Sequence, residues 1–185
     1  MSGIEIGIAL GVLLLLIIVV IAIYNKLVKN RNMMQEAWSG IDVFLKKRHD
    51  LAPNLVETVK AYAAHEKTTL EDIARYRSEA MQAKGADAQV ASENRLGNAL
   101  NNLLVVVENY PDLKANVNFL RLQQQLTDLE HDLESARRYY NGTVRINNIS
   151  VEKFPSNIVA GMFNFQKGVF FSAEASEKEV PQLPL

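Results

Sequence analysis

The stretch from Ile6 to Tyr24 constrains this chain more than any other part of its sequence. It reads IGIALGVLLLLIIVVIAIY and carries no charged side chain. As an α-helix it extends for about 28 Å, close to the roughly 30 Å of bilayer hydrocarbon. Fourteen of its residues are Leu, Ile or Val, and together they favour membrane insertion by roughly 4 to 8 kcal/mol. A buried core helix would need apolar cover on every face. The stretch therefore predicts a transmembrane helix.

The flanks of this helix indicate a retained anchor and its direction. The five residues before Ile6 contain no Lys or Arg, and no Ala-x-Ala cleavage pattern follows Tyr24, so the segment differs from a signal peptide. Lys26, Lys29 and Arg31 follow it at once. Because Lys and Arg beside a membrane span stay cytoplasmic, we expect residues 1–24 to form a single-pass anchor with the N-terminus outside.

Composition narrows the classes of partner and chemistry. The chain has 20 Lys and Arg against 21 Asp and Glu, so no basic surface predicts a nucleic-acid partner. It has no cysteine, which excludes disulfides, thiolate metal sites and a cysteine nucleophile. The partner that the sequence does predict is the lipid bilayer, through the N-terminal helix.

Beyond the anchor, apolar residues recur every three or four positions, as in amphipathic helices. The first helix should run from the anchor to Asp50, and Pro53 should end it and start a second helix reaching about Lys84. A third is expected over 92–109. A fourth carries a coiled-coil-like seam of Phe119, Leu122, Leu126, Leu129, Leu133, Ala136, Tyr140 and Val144. We predict an all-α fold: an N-terminal transmembrane helix continuing into an antiparallel bundle of about four long helices, with the cytoplasmic bundle at 25–150.

The segment 151–172 differs in character from the bundle. It is aromatic-rich and broken by glycines such as Gly161 and Gly168, so it is too short and interrupted to span a bilayer. We expect it to dock on the bundle or on a neighbouring subunit. The alternative is an interfacial position on the membrane, which is disfavoured by the poor helical period of residues 154–171 and by their one basic residue, Lys167. The tail 173–185 should be disordered.

No catalytic, cofactor-binding or metal-binding residue is predicted. His49, His65 and His131 lie on different predicted elements without an HExxH arrangement, and surface positions suit them better. The carboxylates at 71, 72, 130, 132 and 134 lie on predicted solvent faces. The chain has neither a glycine-rich phosphate loop nor a serine nucleophile elbow. We therefore predict a protein that is not an enzyme and needs no cofactor.

Self-association is the one oligomeric question that the sequence raises. Trp38, Ile41 and Phe44 project from the long first helix. Either they form an exposed apolar stripe that makes a homo-oligomer interface, or they pack inside their own bundle.

Several ordered strings resemble the LemA family of bacterial membrane proteins. They are YNKLVKNRN (24–32), AWSGIDV (37–43), KKR (46–48), DLAPNLVETV (50–59), ENYPDLKA (108–115) with Asn118, Phe119 and Leu122, ARRYYN (136–141) and FPSN (154–157). The resemblance covers residues 4–172, and Ala52 departs from the isoleucine more frequent in the family. It implies an N-terminal anchor followed by an antiparallel helical bundle in the bacterial inner membrane. It implies no reaction and no catalytic residues.

Three hypotheses of function follow. The leading one is a non-enzymatic, membrane-anchored helical scaffold that presents an interaction surface to the cytoplasm. The second is an accessory subunit of a membrane protease or transporter, which would have a membrane protein partner. The third is a hydrolase with an unrecognised carboxylate site, which a polar pocket holding converging carboxylates of raised pKa would favour.

Overall fold

The computed structural model describes residues 3–171, and throughout that range its regular structure consists of α-helices. There are six: α1 (Gly3–Lys60), α2 (Lys67–Gln82), α3 (Ala86–Val107), α4 (Pro111–Lys114), α5 (Val117–Glu152) and α6 (Ser156–Met162). The predicted all-α fold, with a long apolar N-terminal helix leading into a helical bundle, is confirmed. The expected disordered tail at 173–185 lies outside the described residues.

The predicted helix break at Pro53 is wrong, because α1 continues through it to Lys60. Proline has no N–H to donate to the carbonyl four residues earlier, which here belongs to His49. Arg77 Nε, on α2, donates to that carbonyl oxygen at 2.6 Å instead. A tertiary hydrogen bond thus replaces the missing helical one. The chain turns later, over residues 61–66.

The third helix begins earlier than its pattern predicts, at Ala86 rather than residue 92. Gly85 precedes it with a φ of 88°, a conformation that glycine adopts without strain. At the start of α5, Asn116 caps the helix through its side-chain oxygen, which accepts the backbone N–H of Phe119 at 3.0 Å. These boundaries fix which faces of α3 and α5 point inward.

The chain divides into two compact units. The bundle unit comprises described residues 40–138 and 171. Its core contains Ala52, Leu55, Val59, Ile73, Leu96, Leu100, Leu103, Val107, Leu113, Phe119 and Leu126. An ion pair joins Glu79 of α2 to Arg95 of α3. A hydrogen bond joins Glu66, just before α2, to Tyr110, just beyond α3, so these two helices are antiparallel.

The anchor unit comprises described residues 3–39 and 139–170. Leu27 of α1 packs with Val159 and Ala160 of α6 and with Phe165, and all four side chains are buried. Asn30 Nδ2 donates to Ser150 Oγ at 2.8 Å, which joins α1 to α5. The turn and helix α6 therefore fold back onto the first helix just beyond its apolar stretch.

The residues considered for self-association are partly covered within their own units. Ile41 is fully buried in the bundle unit. Trp38, in the anchor unit, packs edge-to-face on Tyr140 with ring centroids 5.0 Å apart. Self-association therefore stays a prediction, and these residues do not supply the exposed stripe that motivated it.

Candidate functional site

The apolar part of α1 has no protein cover. Every residue from position 3 to 22 is exposed, and the helix is long and apolar enough to cross a membrane. Leu15, for example, is 63% exposed. A soluble protein would leave this surface in water at large cost. The stretch therefore supports a membrane location for the chain.

A cluster of charged residues lies inside the bundle unit, and the sequence patterns did not predict it. We define the Arg48 cluster as Arg48 and His49 of α1, Glu93 of α3 and Glu130 of α5. The side chains of Arg48 and Glu93 are 1% and 0% exposed. Arg48 Nη2 pairs with a Glu93 carboxylate oxygen and also donates to the Glu93 carbonyl oxygen at 3.0 Å. Its Nη1 donates to Glu130 Oε1 at 3.1 Å.

His49 completes the coordination of the Glu93 carboxylate. Its Nε2 lies 2.8 Å from Glu93 Oε1, and because a carboxylate only accepts hydrogen bonds, the histidine nitrogen is the donor. Each carboxylate oxygen of Glu93 thus has its own partner on α1. Gly97, one turn after Glu93, keeps space open, since a Cβ there would lie 3.3 Å from Arg48 Nη1.

Burial and pairing act in opposite directions on Glu93. Burial alone would raise its pKa, but the His49 hydrogen bond and the positive charge of Arg48 outweigh it, so the pKa of Glu93 is lowered. The pKa of the nearby Asp42 is raised, mainly because the side chain is partly buried. The negative charge of Glu93 also raises this pKa, whereas a hydrogen bond from Gln89 lowers it. The Arg48 cluster is therefore a network of ion pairs among α1, α3 and α5 at neutral pH.

The lowered pKa of Glu93 does not favour the hydrolase hypothesis. A carboxyl group that serves as a general acid needs a raised pKa. Glu93 and Glu130 do converge on one guanidinium, but the shift of Glu93 has the opposite sign. The cluster matches a buried ion pair of Arg48 with Glu93, although Arg48 Nε is also buried and has no hydrogen-bond partner within the described residues.

The histidines considered as metal ligands do not converge. His49 belongs to the Arg48 cluster rather than to the surface, whereas His65 and His131 are exposed. Within residues 3–171, no group of three or more His, Asp or Glu side chains is arranged to hold a metal ion. The carboxylates of Glu71 and Glu134 face solvent and pair with basic residues four positions away.

Two open cavities lie on the bundle unit. One, of about 250 Å³, has polar walls from α2 and α3: Thr69, Asp72, Tyr76, Arg95, Asn98, Ala99 and Asn102. The other, of about 370 Å³, is more apolar and lies beside the Pro53 region: Pro53, Val56, Glu57, Lys60, Ile73, Ala74 and Arg77. Both cavities are open to solvent.

The end of the apolar stretch holds an aromatic cluster in the anchor unit. The Tyr24 ring meets Phe163 at 4.8 Å and Phe165 at 5.7 Å, both edge-to-face. The Arg31 guanidinium lies 5.1 Å from the centre of the Phe165 ring. Such edge-to-face contacts each add about 0.5 to 1.5 kcal/mol beyond area burial. They fix the segment after α6 against the first helix.

Two asparagines of α5 hold the chain beyond α6 in place. Asn148 Nδ2 donates to the Gly168 carbonyl at 3.0 Å, and its Oδ1 accepts the Gly168 N–H at 2.7 Å. Asn147 Nδ2 donates to the Gln166 carbonyl at 3.1 Å. This pairing gives a structural role to Asn148, which otherwise matches a glycosylation sequon with Ser150.

Comparison with known proteins agrees with this architecture. The profile of the LemA family matches residues 37–184. Magnetosome protein MamQ 2 of Paramagnetospirillum magneticum is 24% identical over 174 residues, covering 80% of this chain and 64% of that protein. MamQ of Magnetospirillum gryphiswaldense is similar to the same extent.

Protein LemA of Metamycoplasma hominis is 25% identical over 158 residues, covering 83% of this chain and 71% of that protein. The chain thus spans a little under two thirds of the MamQ proteins and somewhat more of this LemA protein. The family profile covers most of the chain, including the Arg48 cluster and Phe165, whereas Tyr24 and Arg31 precede the matched range. The chain therefore belongs to the LemA family.

Proposed function

We propose that this protein is a non-enzymatic, single-pass membrane-anchored scaffold whose helical bundle presents an interaction surface to the cytoplasm. The observation that carries the proposal is α1 itself. One uninterrupted helix contains both the exposed apolar stretch and, from residue 40 to Lys60, part of the bundle unit. This covalent continuity tethers the bundle unit to the membrane.

The interior of the bundle unit supports a scaffold role. Its buried charges are neutralised by one another in the Arg48 cluster, and the pKa of Glu93 is lowered rather than raised. One of its cavities lies between α2 and α3 and the other between α1 and α2, and both are open to solvent rather than enclosed. These features suit a rigid body that binds other molecules.

In-cell photo-crosslinking tests the proposal. A photo-reactive amino acid is placed at Met81 and at Val105, which are 58% and 69% exposed in the bundle unit, and the purified adducts are identified by mass spectrometry. We expect recurrent adducts with one or a few membrane proteins, and we expect their loss from a matched chain that lacks residues 1–24. A single stoichiometric enzyme partner would favour an accessory subunit of a protease or transporter. Absence of protein adducts at every exposed position would contradict the scaffold.

The proposed orientation has its own test, because the chain contains no cysteine. Single cysteines at Ser2 and Ser172 are exposed to a membrane-impermeant thiol reagent in intact cells, with the outer membrane permeabilised where there is one. Labelling at position 2 and protection at position 172 is the expected result. The reverse pattern would overturn an outside N-terminus.

A further inference from the structure

Four large apolar side chains in the turn before α6, in the helix and directly after it are left largely uncovered by the described chain. Phe154 is 78% exposed, Ile158 55%, Met162 71% and Phe163 50%. Ile158 and Met162 are four residues apart on α6 and therefore share one face. The opposite face, with Val159 and Ala160, is buried against the first helix. We call these four residues the α6 ridge.

The α6 ridge lies beside the end of the apolar stretch. Phe163, its last residue, contacts the ring of Tyr24 at 4.8 Å, and Tyr24 is the last residue of that stretch. The buried face of α6 packs with Leu27 and partly with Ile23, which lie three residues after and one residue before Tyr24. These contacts all fall within the anchor unit, so they fix the depth of α6 relative to the first helix.

Exposed basic side chains of the anchor unit lie close in sequence to Tyr24 and to α6. Lys26, Lys29 and Arg31 on α1 are exposed, as are Lys153 before the turn and Lys167 after α6. The acidic residue among them, Glu152, pairs with Lys167. Apolar side chains flanked by Lys and Arg are the surface that anionic lipid headgroups and the upper acyl chains bind.

We propose that the α6 ridge is a lipid-binding element that lies in the interfacial layer of the same bilayer that Ile6 to Tyr24 spans. The partner is a phospholipid surface, with the ridge side chains among the upper acyl chains and the basic residues at the headgroups. The inference rests on the anchor of the proposed function and adds a second membrane contact to it. The anchor unit then touches the bilayer at two points, which restricts its rotation about the single span.

The structure removes both sequence arguments against lipid. The basic residues near the ridge include Lys26, Lys29 and Arg31 of α1 and Lys153 just after α5, in addition to Lys167. The irregular period of the phenylalanines arises because they divide between two environments. Phe165 and Phe171 are buried at 7% and 4% exposure, whereas Phe154 and Phe163 are exposed. A second protein chain could also cover an apolar ridge, but contact with Tyr24 at the span's end favours lipid.

Site-directed spin labelling of the full chain in phospholipid vesicles containing anionic lipid tests this inference. A nitroxide is attached to single cysteines at Ile158 and Met162, and its collisions with oxygen, which concentrates in the bilayer, are compared with those of a water-soluble nickel chelate. Tyr139 is the matched control. Tyr139 is 59% exposed in the same unit. Its neighbour Tyr140 packs on Trp38, and Trp38 lies about 21 Å along α1 from Tyr24, so Tyr139 is far from the end of the apolar stretch.

We expect the oxygen-to-nickel collision ratio at Ile158→Cys and Met162→Cys to exceed that at Tyr139→Cys several-fold. High nickel accessibility at both ridge positions would show them in water and overturn the inference. Low accessibility to both reagents would show cover by protein, a second copy or another chain, and would overturn it equally. A label at Leu14, 60% exposed in mid-stretch, reports on the anchor separately. If Leu14→Cys is oxygen-accessible while the ridge is not, the ridge inference fails and the anchor stands.

Discussion

Substitution of Glu93 by Gln probes the Arg48 cluster most sharply. Glutamine keeps the shape of the side chain and removes its charge. In the native protein the carboxylate pairs with Arg48 and accepts a hydrogen bond from His49 at 2.8 Å. The substitution leaves the guanidinium of Arg48, 1% exposed, facing a neutral amide in the interior of the bundle unit.

The size of the effect follows from what remains around Arg48. Removing one partner of a buried ion pair costs about 3 to 5 kcal/mol. Glu130 stays 3.1 Å from Arg48 Nη1, but its side chain is 33% exposed and compensates only in part. We therefore expect the free energy of unfolding to fall by about 3 kcal/mol. A domain with an ordinary stability of about 5 to 15 kcal/mol would still fold.

Urea unfolding of a fragment beginning at Lys29, followed by helical circular dichroism, measures this change. The fragment contains the entire bundle unit with its own apolar core, so we expect it to fold without lipid. Glu134→Gln is the matched control, because Glu134 pairs with Arg138 on the surface of the same unit at 61% exposure. Exposed pairs contribute about 0 to 1 kcal/mol, so the control should unfold almost as the native fragment does.

A second variant separates charge burial from general damage. Replacing both partners, Arg48→Met with Glu93→Leu, removes the uncompensated charge, and such apolar replacements are frequently neutral or stabilising. The double variant should therefore be more stable than Glu93→Gln. If Glu93→Gln changes the unfolding free energy by less than about 0.5 kcal/mol, the cluster is hydrated in solution and the reasoning from its burial is refuted.

Three further predictions use the same fragment. Because the pKa of Glu93 is lowered on folding, its contribution to stability is present above its unfolded pKa and is lost as the pH falls through the folded value. The urea midpoint should therefore drop on acidification, and less steeply in Glu93→Gln; equal slopes would contradict this. Gly40→Ala, where the added Cβ meets nothing within 4 Å, should stabilise α1 by about 1 kcal/mol. Gly97→Ala should stabilise less or destabilise, because its Cβ would lie 3.3 Å from Arg48 Nη1; equal gains in thermal melts would show that Arg48 moves freely. Leu129→Ala, in the buried seam of α5 at 8% exposure, should cost about 2 to 5 kcal/mol, and a cost below about 0.5 kcal/mol would mean that the seam is exposed.

The helical periods predict the fold because apolar side chains dominate the packing. The seam of α5 shows this, since Phe119, Leu126, Leu133 and Val144 are all 2% exposed or less. Pro53 shows where local rules fail. The residue removes one helical hydrogen bond, but Arg77 supplies a replacement from a different helix. No local pattern contains a partner 28 residues away.

The Arg48 cluster escaped prediction for a related reason. Ile41, Leu45, Ala52 and Leu55 are buried on one face of α1, and position 48 falls on that face, between Leu45 and Ala52. The apolar stripe of α1 is therefore interrupted by the charged Arg48, and this interruption was the sequence signal that could have predicted a buried ion pair. Glu93 was hidden because a helix beginning at residue 92 would place it in the exposed first turn. With α3 beginning at Ala86, Glu93 lies in the helix interior and faces the core.

The sequence also could not predict which side chains of the α6 ridge are exposed. Which phenylalanines are buried depends on the hydrogen bonds from Asn147 and Asn148 to the backbone at 166 and 168. Those bonds join residues about twenty positions apart and position Phe165 against Tyr24 and Arg31. Aromatic composition alone predicts a docked segment without saying which side chains dock.

The scaffold proposal requires that α1 stays in the mature protein as a membrane anchor. Intact-mass measurement of the chain, extracted from membranes that have first been washed at alkaline pH, tests this requirement. We expect the protein to stay with the washed membranes and its mass to include residues 6–24. Release by the wash, or a mass that corresponds to cleavage near Tyr24, would contradict the anchor and the scaffold built on it.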